Sequence, residues 1–252
     1  MFIVDDGIRL NAKLEMPRAG AEKCPLVIII HGFTGHMEEA HLTALSHALN
    51  EMGAATLRVD MYGHGHSEGQ FRDHTLYKWL TNALTVIDYA RELPFVSDIY
   101  LCGHSQGGLT AVLAGGMAHD RIKGIIALAP ACMIPDLARK GELLGTRFDP
   151  EFPPETLTVW NDWVLGGNYV RVAQTLHVEE AEERFRGPVL IVQDEKDDPA
   201  LIQSAKDAAE RYQNSVFCMI PDCTHCFGER LEAMVEAVEK WLAPLLAADR
   251  EG

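Results

Sequence analysis

Ser105 stands in Gly103-His104-Ser105-Gln106-Gly107, directly after the apolar run Ile99-Tyr100-Leu101-Cys102 and directly before a helical pattern. A serine hydroxyl at a sharp strand-to-helix turn is lifted above the edge of a sheet, and the helix start aims free N–H groups and positive dipole at an oxyanion forming there. Flanking glycines leave room where a Cβ would clash. An ordinary serine is a poor nucleophile and needs a base. Of the 11 histidines, His225 is best placed, in the loop Pro221-Asp222-Cys223-Thr224-His225-Cys226-Phe227 between the last strand-like run and the last helical pattern. His104 adjoins the serine, but neighbours in such a turn point their side chains apart. His31, His64, His66 and His74 fall in loops near other strand ends. A lone histidine in a loop is more often satisfied locally than catalytic.

The base needs an acid to fix its tautomer and stabilise the imidazolium. The loop after the run 188–193 offers Asp194, Glu195, Asp197 and Asp198, and spacing does not rank them. Any of them gives the chain order Ser…Asp…His. An oxyanion site needs two donors. Gln106 N–H, next to the serine, is one, and the loop His31-Gly32-Phe33-Thr34-Gly35 after the run 25–30 supplies the other, expected from Phe33. This is acyl-transfer chemistry, and it needs no organic cofactor and no metal. Cys223-Thr224-His225-Cys226 has C-x-x-C spacing, but a second such pair for zinc is lacking.

The elements that must position these groups follow a βαβα rhythm. Residues 7–17 alternate with period two, as in an antiparallel edge strand. The continuous apolar run at 25–32 reads as a strand buried on both faces, 122–130 as another buried strand, and 55–63, 99–103, 188–193 and 215–221 as the remaining strands. Helical periodicity covers 39–52, 75–92 and 228–247, and a helix is expected from Gln106. This predicts an α/β fold with a mostly parallel central sheet flanked by helices. Residues 131–186 break the rhythm with proline, tryptophan and turn residues. They are too long for a structureless loop and read as an inserted lid subdomain, leaving 1–130 and 187–252 as the core.

The chain of 252 residues is 47% hydrophobic, with 22 basic against 37 acidic residues and a net charge of −15. Such a surface repels phosphate backbones and anionic lipid, so neither nucleic acid nor membrane is an expected partner. The apolar runs are far shorter than the ~18 residues of a membrane helix. The start, MFIVDDGIRL, has no secretory pattern, and its cysteines are expected as free thiols in a soluble, cytoplasmic protein.

The stretches HGFTGHMEE (31–39), LRVDMYGHGHSEG (57–69), DHTLYKWLTNAL (73–84), GHSQGG (103–108), GNYVRVAQTL (167–176) and THCF (224–227) resemble the α/β-hydrolases, and more narrowly the bacterial feruloyl (cinnamoyl) esterases. The resemblance spans nearly the whole chain. It implies Ser105 as nucleophile, His225 as base, Asp197 as acid, and Phe33 and Gln106 as oxyanion donors. It also implies an insertion that closes over a phenolic acyl group, with Trp160 as an aromatic wall, Tyr169 as a partner for the ring substituents and Asp136 as a further contact. The partner is then a small aromatic ester, with a homodimer left open. Relatives carry H-G-D-x-D before the acid where this chain has Gln193-Asp194-Glu195-Lys196-Asp197. A rebuilt turn is therefore expected, with Asp194 and Asp198 still open as partners of His225. Rival readings are a general short-chain carboxylesterase or monoacylglycerol lipase, and a hydrolase-fold binding protein with weak catalysis.

Overall fold

The computed structural model describes residues 1–18, 20, 22–160 and 162–248. In chain order these form β1 (Phe2–Asp5), β2 (Ile8–Glu15), β3 (Cys24–Ile30), α1 (Ala40–Glu51), β4 (Ala55–Val59), α2 (Leu76–Arg91), β5 (Val96–His104), α3 (Gln106–Met117) and β6 (Gly124–Leu128). There follow α4 (Ile134–Arg139), β7 (Glu142–Leu143), β8 (Thr146–Arg147), β9 (Thr156–Val159), β10 (Trp163–Gly166), α5 (Asn168–Ala173) and α6 (Val178–Arg184). The chain closes with β11 (Val189–Asp194), α7 (Pro199–Arg211), β12 (Ser215–Ile220) and α8 (Leu231–Ala248).

Among the described residues, eight strands form one sheet in the order β1-β2-β4-β3-β5-β6-β11-β12. β1 and β2 run antiparallel, β2 meets β4 antiparallel, and all later pairings are parallel. Alternation in each central strand divides the core between the two faces. Leu26, Ile28, Leu101, Ile125 and Ile191 pack with α2, α3 and α6 on one side. Val27, Ile29, Cys102, Ile126 and Val192 pack with α1 and α8 on the other. Full burial of one such side chain is worth about 1.5–3 kcal/mol, so neither face of these strands can be left uncovered. No helix among the described residues is long and apolar enough to cross a membrane.

Two expectations are corrected. The strand at 7–17 is not at the edge, because Asp6-Gly7, both at positive φ, turn the chain so that Phe2–Asp5 pairs outside it. An Asp-Gly turn between alternating runs is a strong hairpin signal, and it lies in plain view in MFIVDDGIRL. The strand at 55–63 ends at Val59 because Asp60 serves the loops instead. Its buried carboxylate accepts from Met37 N at 2.8 Å, His66 N at 2.9 Å and Asn11 Nδ2 at 2.9 Å. Buried Arg58 adds a second tie, donating to Met37 O at 2.6 Å and pairing with Glu15 at 2.8 Å and Glu38 at 2.9 Å. The segment 31–39 is thereby fixed from below.

Residues 131–186 are well furnished with short elements. The hairpins β7–β8 and β9–β10 stand between α4 and α5, and α6 packs against α3.

The junction of β5 and α3 is the tightest place in the molecule. A Cβ on Gly103 would lie 2.0 Å from Gly107 O, and one on Gly107 would lie 2.3 Å from His31 O. Gly103→Ala is therefore expected to cost about 3 kcal/mol or more through forced backbone shifts, lowering Tm by roughly 6–12 °C. Gly228→Ala, where the Cβ meets nothing within 4 Å, should leave the melt unchanged. Thermal unfolding of the two variants checks this.

Candidate active site

β5 ends at His104 and α3 starts at Gln106, so Ser105 alone makes the turn, at φ 55° and ψ −117°. Positive φ in a residue with a side chain is strained and survives only where its surroundings over-determine it. Here Ser105 N donates to Leu128 O at 2.8 Å, and Ser105 O accepts from Leu109 N and Ala131 N, each at 3.0 Å. Leu109 thus closes the first turn of α3. The N–H groups of Gln106, Gly107 and Gly108 have no acceptor within the helix, as at any helix start, and they lie at its positive end.

The second expected donor is in the segment 31–35. Gly35 N donates to Gly32 O at 3.1 Å, closing the turn around Phe33. Phe33 O faces His64 Nε2 at 2.6 Å, and His64 Nδ1 faces Tyr62 O at 2.9 Å. His31 links Gly32 O at 2.8 Å to Met61 N at 3.0 Å. Burial holds His31 and His74 down to about 3, and lowers His64 as well. These histidines brace the Phe33 turn from beneath. His66, by contrast, gives only its backbone N–H, to Asp60.

His225 Nδ1 lies 2.7 Å from Asp197 Oδ2. Burial works to raise the Asp197 carboxyl, but hydrogen bonding to His225, its charge, and the bonds from Asp194 and from Asp198 N prevail and hold it below the usual range. An Nδ1–H donated to a carboxylate leaves Nε2 as the free base. Ser105, Asp197 and His225 open on one cavity of about 480 Å³, together with Phe33 and Gln106. Of the other acids of the loop, Glu195 accepts from Asp222 N at 3.1 Å. Asp198 caps α7, accepting from Ala200 N at 2.8 Å, with Pro199 in the first turn where its missing N–H costs nothing. Asp194 is wholly buried at the end of β11.

Three contributors escaped the sequence reading. His104 does point away from the serine, and its Nε2 donates to His225 O at 2.8 Å, tying the base's own backbone to β5. Burial pushes its pKa well down, so it acts as a neutral donor. Gln193 Nε2 reaches Asp197 Oδ2 at 3.1 Å. His64 holds Phe33 O, as above. All are tertiary contacts between distant segments, and nothing in local spacing marks them.

The expected acyl-side residues separate. Trp160, at the tip of the β9–β10 hairpin, lines the cavity, stays 48% exposed, and meets Phe33 edge-on at 6.0 Å. Tyr169 is buried, and its hydroxyl donates to Gln106 Oε1 at 2.6 Å. It braces the residue after the serine with its one proton, which leaves its oxygen as an acceptor only. Asp136 pairs with Arg139 at 2.6 Å and faces a separate depression of about 210 Å³. The remaining cavity wall is apolar, built from Met133, Ile134, Leu137, Leu144 and Leu201.

The family model described as serine aminopeptidase, S33, matches residues 21–243. The structure of Est1E from Butyrivibrio proteoclasticus with ferulic acid bound is 53% identical, with a TM-score of 0.96 over 98% of this chain and 99% of that one. Mouse alpha/beta hydrolase domain-containing protein 10 is 18% identical, with a TM-score of 0.74 over 97% of this chain and 98% of that one, which is a likeness of fold. Human palmitoyl-protein thioesterase ABHD10, mitochondrial, is 29% identical over 109 residues, 43% of this chain and 34% of the relative. The chain thus spans about a third of the length of the curated relatives it matches.

The division of labour in the 194–198 loop is open to a direct comparison. Asp197→Asn should fold normally and lower kcat by a factor on the order of 10³–10⁴, since an amide favours the wrong tautomer of His225. Asp198→Ala should keep kcat and lose about 1 kcal/mol of stability as a lost helix cap. Steady-state kinetics beside urea unfolding of the two variants tells these apart.

Proposed function

The chain belongs to the serine aminopeptidase S33 family and has the α/β-hydrolase fold, and on that premise we propose that it is a serine carboxylesterase that hydrolyses hydroxycinnamate esters, such as feruloyl and cinnamoyl esters, through an acyl-enzyme. The observation that carries this reading is the cavity where Ser105, His225 and Asp197 meet an apolar wall ending in Trp160. The 53% identity to Est1E, whose structure holds ferulic acid, supports the acyl class.

In this reading the ester carbonyl lies over Ser105, with its oxygen toward the N–H groups of Phe33 and Gln106. His225 Nε2 takes the serine proton as Oγ attacks, and Asp197 stabilises the imidazolium. The two N–H groups meet the oxyanion as it forms, which is where preorganised donors matter most. The C–O bond to the alcohol breaks and His225 returns the proton to that oxygen. Water, deprotonated by His225, then attacks the acyl-enzyme and releases the acid and Ser105. Each attack needs His225 neutral and each departure needs it protonated, so the proton it takes from Ser105 leaves with the alcohol and the one it takes from water returns to Ser105.

Residues 131–186 act as the lid in this proposal. Trp160 gives the acyl ring an aromatic face, and the half-exposed tip of its hairpin is where a bulky ester enters. Tyr169 serves by holding Gln106 rather than by touching the ring. A cytoplasmic setting is part of the reading, in keeping with six free thiols.

Hydrolysis of methyl ferulate beside 4-nitrophenyl acetate tests it. Ser105→Ala should fold and lower kcat on both esters by a factor on the order of 10⁴ or more. Near-normal kcat in that variant ends the proposal. Trp160→Ala should raise KM for methyl ferulate about 3- to 10-fold, the worth of one aromatic contact, and leave the acetate nearly unchanged. Efficient turnover of the acetate alone, with no cleavage of the ferulate, points instead to a general short-chain carboxylesterase.

A further inference from the structure

Asp194 ends β11 with a carboxyl group that is wholly buried, and its Oδ1 meets no hydrogen-bond partner. Its Oδ2 lies 3.2 Å from Gln193 Nε2, the same nitrogen that reaches Asp197 Oδ2 at 3.1 Å. Oxygen atoms of Asp194 and Asp197 and a ring nitrogen of His225 all lie within 4.8 Å of one another. Two carboxyl groups so close cannot both carry charge cheaply, and they bond to each other only through a proton.

Geometry decides which of them holds it. Asp197 is bound as an anion should be, with His225 Nδ1 at 2.7 Å and Asp198 N at 2.8 Å. The charges acting on Asp194 are those of Asp197, which oppose its ionisation, and more weakly of His225, which favour it. The other titratable groups facing it are the thiols of Cys223 and Cys226, from the loop that carries His225. β12 brings Ile220 beside it.

Resting on the esterase reading of Ser105 and His225, we propose that Asp194 is a positioning residue, a neutral acid whose O–H donates to the Asp197 carboxylate. It keeps Asp197 aimed at His225 Nδ1 and limits the pair to one negative charge. Gln193 spans both carboxyl groups and holds them in register. Burial, then the hydrogen bond and charge of Asp197, push the Asp194 carboxyl up to about 7. Near neutral pH part of Asp194 is therefore ionised, and its charge then favours a proton on His225. Transfer there gives an idle form with the same number of protons, in which Asp194 is charged and the base is already filled. The two carboxyl groups titrate together.

The experiment compares the wild type with Asp194→Asn and Asp194→Ala, using 4-nitrophenyl acetate from pH 4 to 9. Asparagine can donate an N–H to Asp197 but cannot ionise, so the idle form vanishes. The acid limb of its kcat/KM profile should lie about half a pH unit or more below the wild-type limb. Alanine donates nothing, and kcat should fall about tenfold at nearly unchanged KM, with asparagine recovering most of that loss. Superimposed wild-type and asparagine limbs, or an asparagine variant as slow as alanine, overturn the proposal.

Thermal unfolding over the same range reads the proton without catalysis. A carboxyl raised in the folded state contributes stability fully below its unfolded value, and that contribution is lost as pH rises through the folded value, here about 7. The Tm of Asp194→Asn relative to wild type should therefore climb between about pH 4 and pH 7 and then level off. A gap that is constant with pH shows Asp194 ionised throughout and overturns the neutral acid. If the wild type cleaves no ester, the esterase reading fails by itself, and the Tm comparison still decides the state of Asp194.

Discussion

A strand and a helix meet at Ser105 with no residue to spare, and the rest of the site depends on that contact. The single turn at positive φ brings the start of α3 against the ends of β3 and β5. Only a backbone stripped of side chains at Gly103 and Gly107 fits there. In return, the serine stands above the sheet edge with unspent N–H groups beside it. The strain is local, while its restraint comes from Leu128, Leu109 and Ala131, on three different segments. A site of this kind cannot be assembled piecemeal. It exists only when the central sheet is complete.

Around this turn, buried polar groups do structural work without carrying mobile charge. Asp60 and Arg58 keep their charges because each is met by several partners, and both fasten the segment that holds Phe33. Burial lowers the pKa of the histidines beneath and beside that segment. His31 shows the use of a neutral ring, donating from Nδ1 to Gly32 O and accepting at Nε2 from Met61 N, so that it bridges two stretches of loop.

The fold was largely legible because its signals are local. Runs such as PLVIII and GIIAL are apolar at every position, and this told of strands covered on both faces. Helical periodicity set α2 and α8 within a few residues. The β1–β2 hairpin was missed although Asp6-Gly7 advertised it. At the site, Ser105 and His225 stood out by type and order, Asp197 was one of four acids in its loop, and the structure brings the three to one cavity with Phe33 and Gln106. Asp197 rose above its neighbours only through resemblance. The physical reason it differs from Asp198, which caps a helix, and Asp194, which is buried, appears only in three dimensions. Tyr169 shows the opposite limit. Resemblance made it a partner for the ring substituents, and only three dimensions show that it is buried and gives its proton to Gln106. Residues 131–186 were hardest to read, since strands of two to four residues carry too little periodicity to register.

The bond between Tyr169 and Gln106 also governs how the cavity can breathe. Tyr169 belongs to α5, inside the inserted segment, whereas Gln106 opens α3 in the core. A rigid swing of the whole segment would tear this buried bond and disturb the residue that follows the serine. Displacement of the β9–β10 hairpin alone would leave it intact while moving Trp160. The start of α3 and α5 are thus held together by a buried bond, while β9 and β10, beside Trp160, stand outside it.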